Sequence, residues 1–218
     1  MKLLNFKRVL CLSPHPDDIE YSVMGTILKC TDTIFDVVCL SNGGDCDTTT
    51  GVSRLDEVVN AWSHWELPKN VNLHFCDNNF LRERIEEEWV NHIETRFLKE
   101  NNYDCIFTPS NIDSHFEHQL VYRLGPALTR GIWPNRESPV SLIEYKSPST
   151  LDEWIPNLIV DIKDQYSSKV GRLQQFKSQL HHRYFKRETL DTFHSNFQCS
   201  KKNMYVVEEF RINKNYII

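Results

Sequence analysis

The sequence predicts an α/β fold in which a mostly parallel sheet is covered by helices on both faces. Two observations carry this reading. Short apolar runs alternate with longer amphipathic stretches at least four times along the chain. Most of the early runs also end in polar or turn-forming residues, as strands do when they feed crossover helices. A sheet of this kind places its ligand site beyond the carboxyl ends of the strands.

The elements follow in order. Val9–Leu12 is a short apolar run closed by Ser13-Pro14, and Ile19–Lys29 reads as a helix. Phe35–Leu40 is a second strand, stopped by Ser41-Asn42-Gly43-Gly44. Ser53–Trp65 is helical, with Leu55, Val58, Val59 and Trp62 on one face and Ser53 as its cap. Val71–Phe75 is a third strand. Arg82–Lys99 is a helix because Ile85, Trp89, Ile93 and Phe97 recur every four residues. Cys105–Thr108 is a strand halted by Pro109, and His118–Thr129 is the helix that follows. Ser141–Tyr145 and Leu158–Asp161 are strands, Lys163–Leu180 is a helix, and Met204–Ile212 is a closing strand. Trp62, Trp65, Trp89 and Phe97 are assigned to the core, and Glu86-Glu87-Glu88 to a solvated helix face.

Composition bounds the rest. With 218 residues, 40% hydrophobic and 25% charged, the chain is long enough to bury a full core. We expect one domain over 1–218, with the region 181–218 as its extension. No run approaches the ~20 apolar residues of a membrane span, and Lys7 and Arg8 interrupt the first apolar stretch, so no signal peptide is expected. The seven Cys residues are odd in number and none are spaced as C-x-x-C. This pattern fits a reducing, cytoplasmic setting without a disulfide framework. Residues 163–218 hold 11 Lys and Arg against 5 Asp and Glu, whereas residues 1–162 hold 14 against 25.

Two strand-end segments concentrate chemistry. The first is Ser13-Pro14-His15-Pro16-Asp17-Asp18-Ile19-Glu20. The second is Pro109-Ser110-Asn111-Ile112-Asp113-Ser114-His115-Phe116-Glu117-His118. Imidazoles and carboxylates on two adjacent loops are a suitable donor set for a divalent metal, zinc first. His15 and Asp18 are three residues apart, so one turn can aim both at one ion. Asp17 then points elsewhere and can stand beside a metal-bound water. Of His115 and His118, one can ligate while the other faces the substrate. Each motif alone also reads as a polar helix cap.

Pro14-His15-Pro16-Asp17-Asp18-Ile19-Glu20 resembles the opening motif of the LmbE-like (PIG-L) zinc deacetylases. The His115–His118 segment resembles their second motif, usually H-P-D-H. Arg54 and Glu57 match the family's R-x-x-E on the second helix, and Pro156-Asn157 and Ser178-Gln179 also look like its members. The resemblance spans roughly residues 8–180 and implies a Rossmann-like three-layer sandwich. It implies His15, Asp18 and His118 as ligands of one Zn2+ ion, with Fe2+ as the alternative metal. Asp17 would be the general base and His115 the oxyanion stabiliser. Arg54, and less directly Asp77, would contact a sugar hydroxyl, with Glu20, Asp113 and Glu117 around the ligands. The implied reaction is removal of acetyl from an N-acetylglucosamine-type amino sugar or its conjugate. Water activated by zinc, whose pKa falls to about 7, would attack the amide.

The departures are Met24-Gly25 for the family's Gly-Gly and His115-Phe116-Glu117-His118 for H-P-D-H. Neither removes a ligand. Glu117 is expected to pair with His115 and keep it protonated. The run His181-His182-Arg183-Tyr184-Phe185-Lys186-Arg187 interleaves cations with aromatics. It reads as a solvated helix end, a nucleic-acid surface, or a clamp for a phosphate-bearing substrate. The acidity of residues 1–162 disfavours nucleic acid. Amidase action on another small amide and a non-catalytic binding module are the alternatives, and the sequence leaves the oligomeric state open.

Overall fold

A computed structural model describes residues 3–43, 53–76, 81, 84, 86–130, 140–196 and 205–214. The strands are β1 (Arg8–Ser13), β2 (Ile34–Cys39), β3 (Val71–Phe75), β4 (Cys105–Pro109), β5 (Ser141–Tyr145), β6 (Leu158–Asp161), β7 (Ser195–Asn196) and β8 (Tyr205–Lys214). The helices are α1 (Asp18–Ser22), α2 (Met24–Lys29), α3 (Arg54–Ser63), α4 (Glu86–Ile93), α5 (Phe116–Leu128), α6 (Lys163–Leu173) and α7 (Arg187–Phe193). The sheet runs β3-β2-β1-β4-β5-β8-β6, with β7 paired to β8. Neighbours from β3 to β5 are parallel, and β8 lies antiparallel between β5 and β6. The strand order reverses between β1 and β4, so the crevice of the sheet opens beyond those two strands.

Period-two alternation makes the layers. Val9 and Cys11 of β1, Phe35 and Val37 of β2, and Cys105 and Phe107 of β4 face one core, with Ile19, Ile27, Trp62, Tyr166 and Leu173. Leu10 and Leu12, Val38, and Ile106 face the other, with Trp89, Ile93, Phe97, Leu120 and Leu124. Successive strand residues point to opposite faces. Helices α1, α2, α3 and α6 therefore cover one side and α4 and α5 the other, giving the three-layer sandwich.

Several elements depart from expectation for identifiable reasons. The helix expected over 19–29 breaks at Val23 into α1 and α2. The break frees the backbone N–H groups of Gly25 and Thr26 to donate to the buried Glu208 carboxylate, at 2.8 and 2.6 Å. A carboxylate suits a helix N-terminus, and Lys169 completes the site at 2.6 Å. A Cβ at position 25 would lie 2.7 Å from the Ile162 side chain and 2.9 Å from Glu208 Oε1, so any larger residue in place of this glycine would have to displace them. The helix after β4 begins at Phe116, earlier than expected, with His115 as its N-cap. The helix from Lys163 stops at Leu173 instead of Leu180. The expected start of the Arg82–Lys99 helix and the expected residues Met204 and Gly44 lie outside the described residues. The described part runs from Glu86 and ends in a π-helical turn, Glu94–Leu98.

The inner face of α3 is also different. Val59 is exposed, and the buried positions belong to Arg54, Glu57, Val58, Ala61 and Trp62. Trp65, assigned to the core, is 67% exposed at a positive φ of 70°, beside the Arg172 guanidinium. The five described cysteines, Cys11, Cys30, Cys39, Cys76 and Cys105, are free and buried. Among the described residues no helix is long and apolar enough to cross a membrane.

Candidate functional site

The loops after β1 and β4 meet at the crevice. His15 Nδ1 lies 3.1 Å from Asp18 Oδ2 and 3.2 Å from His118 Nε2, and His118 Nε2 lies 3.2 Å from Asp18 Oδ1. Residues separated by 103 positions thus bring two imidazole nitrogens and the two oxygens of one carboxylate together, a triangle of three residues. The sequence logic is local at each corner. The His15 N–H donates to Asp18 Oδ2 at 2.8 Å, closing the Pro-stiffened turn. His118 sits in the first turn of α5, whose start Asp113 fixes by accepting the His115 N–H at 2.8 Å.

Each imidazole turns its other nitrogen to a carboxylate. Glu117 Oε2 accepts from His15 Nε2 at 2.5 Å, and Asp113 Oδ2 faces His118 Nδ1 at 3.0 Å. Asp113 is itself held by Ser147 Oγ and by Ser149 Oγ, the latter at 2.6 Å. In the neutral rings, with both outer nitrogens donating, the inner ones present lone pairs toward each other and toward the Asp18 carboxylate. Such a set calls for a cation. Ligand atoms at the corners of a tetrahedron around zinc stand about 3.3 Å apart, close to the 3.2 Å between the two imidazole nitrogens, and carboxylate-backed histidines are the usual setting of bound imidazole. His15, His115 and His118 also form a cluster whose ring nitrogens lie within 4.8 Å of one another. His115 stacks on His118 with centroids 4.7 Å apart and is the exposed member.

Electrostatics follow from burial and these partners. Burial alone would lower the pKa of His15, but Asp18 and Glu117 outweigh it and raise it to about 9. Burial likewise opposes protonation of His118, and Asp18 and Asp113 raise it to about 10. Asp18 is held well below the carboxylate range, because His118 and His15 overcome the effect of burial. The field of the site thus favours positive charge at its centre. Burial raises Asp17 to about 7 despite Arg54. Burial also lifts Glu20 to about 7, although Trp62 Nε1 donates to it at 2.6 Å.

Asp17 adopts φ 145°, a conformation that side-chain-bearing residues rarely accept. Strain of this sort is held by its surroundings. Arg54 supplies the hold: its Nη2 donates to Asp17 Oδ2 and to the Pro16 carbonyl, both at 3.1 Å, and its Nη1 donates to the Gly43 carbonyl at 2.9 Å. Gly43 itself has φ 79°, and a Cβ there would fall 2.3 Å from Arg54 Nη1. Glu57, one helical turn on, accepts from the Ser178 N–H and Oγ at 2.8 and 2.6 Å. The R-x-x-E spacing therefore anchors two loops of the site, and Arg54 does not pair with Glu57.

A cavity of about 570 Å³ opens over this centre, lined by His15, Asp17, Asp18, Arg54, His115 and His118 among others. Glu20 lies behind it, buried with Trp62. Asp77 lies outside the described residues. One expectation about charge is corrected. Glu117 reaches His15 across the loop, and burial with the neighbouring His15 and His118 lowers the His115 pKa. Sequence reasoning missed Ser147, Pro148, Ser149 and Tyr184. The first three follow β5 as a Ser-Pro-Ser run, the same strand-end signal that marked the other loops.

The family model described as GlcNAc-PI de-N-acetylase matches residues 10–129, more than half of the chain. The chain belongs to this family, PIG-L. The match takes in both candidate motifs and Arg54. A curated relative, the diacetylchitobiose deacetylase of Thermococcus kodakarensis, is 50% identical over 46 residues, 21% of this chain and 17% of that protein. Two solved structures are similar in fold to this PIG-L member. One is the 4-carboxy-2-hydroxymuconate hydratase of Pseudomonas putida KT2440 (TM-score 0.72, 17% identity, 97% of this chain and 98% of the other). The other is the N,N'-diacetylchitobiose deacetylase of Pyrococcus horikoshii (TM-score 0.71, 23% identity, 96% and 84%). The same architecture thus carries a hydratase and a deacetylase, so the fold alone does not choose the reaction.

Proposed function

We propose that the chain is a metal-dependent hydrolase that removes the acetyl group from an N-acetylated amino sugar or its conjugate. The observation that carries this reading is the triangle of His15 Nδ1, Asp18 and His118 Nε2 at 3.1–3.2 Å, with the strained Asp17 beside it in one cavity. Family membership and the curated deacetylase support the acetamide as the scissile group. His15, Asp18 and His118 would hold one divalent ion, zinc or ferrous iron. Bound there, it supplies Lewis acidity and makes water more acidic.

The remaining roles belong to the chain. Asp17 takes a proton from the attacking water and returns it to the departing amine nitrogen. Arg54 holds Asp17 in its strained conformation, so its guanidinium acts first as a positioning group, and contact with a sugar hydroxyl is secondary. His115 faces the cavity as a neutral imidazole and offers an N–H to the developing oxyanion. Glu117 and Asp113 orient the two ligand imidazoles, and Glu20 supports the loop from within the core. We also infer a single domain over 1–218, because β8 lies between β5 and β6.

Two cations of the basic run are engaged within the chain. Arg187 is paired with Asp191 at 2.9 Å, and Lys186 Nζ donates to the Leu180 carbonyl at 3.0 Å. The test is acetate release from a panel of N-acetyl sugars by zinc-loaded and iron-loaded protein. Release that stops on chelation and returns with metal is expected. Metal-loaded protein that releases no acetate from any sugar, yet hydrolyses another small amide, would replace this reading with the amidase one.

A further inference from the structure

Of the run 181–187, Tyr184 is the residue that reaches the site. Tyr184 lines the same cavity as Asp17 and Arg54. Its ring is stacked on His182 at 5.2 Å with an interplanar angle of 12°, and His181 lies tilted against His182 at 3.9 Å. Tyr21 meets the Tyr184 ring edge-on at 6.0 Å and donates its hydroxyl to the Tyr184 carbonyl at 2.9 Å. The Tyr184 hydroxyl donates to Gln179 Oε1 at 3.3 Å, and Gln179 Nε2 donates to Ser178 Oγ at 2.9 Å. Ser178 is bound by the buried Glu57, so the wall is tied back to α3.

An aromatic face fixed on one side by a parallel ring, with its edge and hydroxyl both engaged, is preorganised to receive a second flat apolar surface. A pyranose offers one on its C–H face. Its hydroxyls then meet Gln179, which keeps one amide hydrogen and one lone pair beyond the bonds named above. We propose that Tyr184, backed by His182, is a stacking platform for a sugar ring of the substrate, and that Gln179 beside it reads a ring hydroxyl. This rests on the amino-sugar reading above and adds to it the residues that recognise the ring.

The test uses chitobiose, the β-linked disaccharide of glucosamine. It keeps the pyranose rings and lacks the acetyl group, so its binding does not depend on turnover. Calorimetry on the metal-loaded full chain should give a Kd raised about fivefold by Tyr184→Leu and restored most of the way by Tyr184→Phe. His182→Ala should raise it about twofold by leaving the ring unbacked, and it covers the case in which the Leu variant fails to fold. Equal binding by wild type and the Leu and Ala variants would overturn the platform, as would a Phe variant as weak as Leu or a wild type that binds no chitobiose. Failure of the deacetylase reading looks different: no acetate is released from any N-acetyl sugar, while chitobiose binding keeps its dependence on Tyr184.

Discussion

Two buried carboxylate clusters sit on the same sheet, and they are built oppositely. Asp36 of β2 is fully buried and accepts from Arg8 Nε at 2.6 Å, from Asn72 Nδ2 and His74 Nε2 at 3.0 Å, and again from Arg8 Nη2. Donors converge on one acceptor and the account closes within the protein. At Asp18 the count runs the other way. Two imidazole lone pairs and a carboxylate converge on one point, and the ring N–H groups face outward to Glu117 and Asp113. Buried charge by itself therefore does not mark a site. A surplus of acceptors around a common centre does, because only a cation can balance it.

The comparison makes graded predictions. The largest effect is expected for His118→Ala, which removes one corner of the triangle. Metal content measured by mass spectrometry should fall below stoichiometric and acetate release should vanish. Full metal content in this variant would show that the triangle is not the ligand set. Asp17→Asn should keep its metal and lose roughly 10²–10⁴ in kcat; a variant with wild-type kcat would remove Asp17 from proton transfer.

Orienting carboxylates come next. Asp113→Asn and Glu117→Gln should each weaken metal affinity by about 10–100-fold in competition with a chelator. Unchanged affinity would reduce them to structural contacts.

At the opposite cluster the sign of the effect should differ. Asp36→Asn should leave metal content intact and cost about 2 kcal/mol in urea unfolding, since it removes a buried charged acceptor from the partly exposed Arg8 and from His74 and Asn72. Because Arg8 and His74 outweigh burial and hold Asp36 well below the carboxylate range, its contribution has a defined pH window. It is present in full above the unfolded value near 3.9 and declines as pH falls from there toward the folded value. Stability measured at pH 7 and pH 4.5 should therefore carry the full Asp36 term, and the loss should set in below about pH 4. A variant whose stability gap from wild type stayed constant down to pH 2 would break this contrast.

Much of this was legible in the chain. Strand positions could be read from apolar runs because a buried parallel strand needs little beyond continuous β-branched and apolar residues. The order of those runs then placed two loops at the switch point. The helix face of α3 was not legible. Arg54 and Glu57 take inward positions that a periodicity argument reserves for Val59 and Leu55, because their partners, Asp17 and Ser178, lie 37 and 121 residues away. Local patterning carries no information about such partners. The pairing of Glu117 escaped for the same reason. Proximity in sequence pointed to His115, whereas the start of α5 turns the carboxylate to His15.

The sequence by itself determined the donor inventory and its rough location: two motifs with the right atoms, each at the end of a strand. Tertiary structure decided which atoms face which. It closed the triangle, bent Asp17 into a strained conformation that Arg54 can hold, and brought Tyr184 of the basic run to the site. Spacing along the chain fixes what one turn can aim. Only packing of the sheet and its covering helices fixes the angstrom-scale distances between loops on different strands, and ligand chemistry depends on those distances.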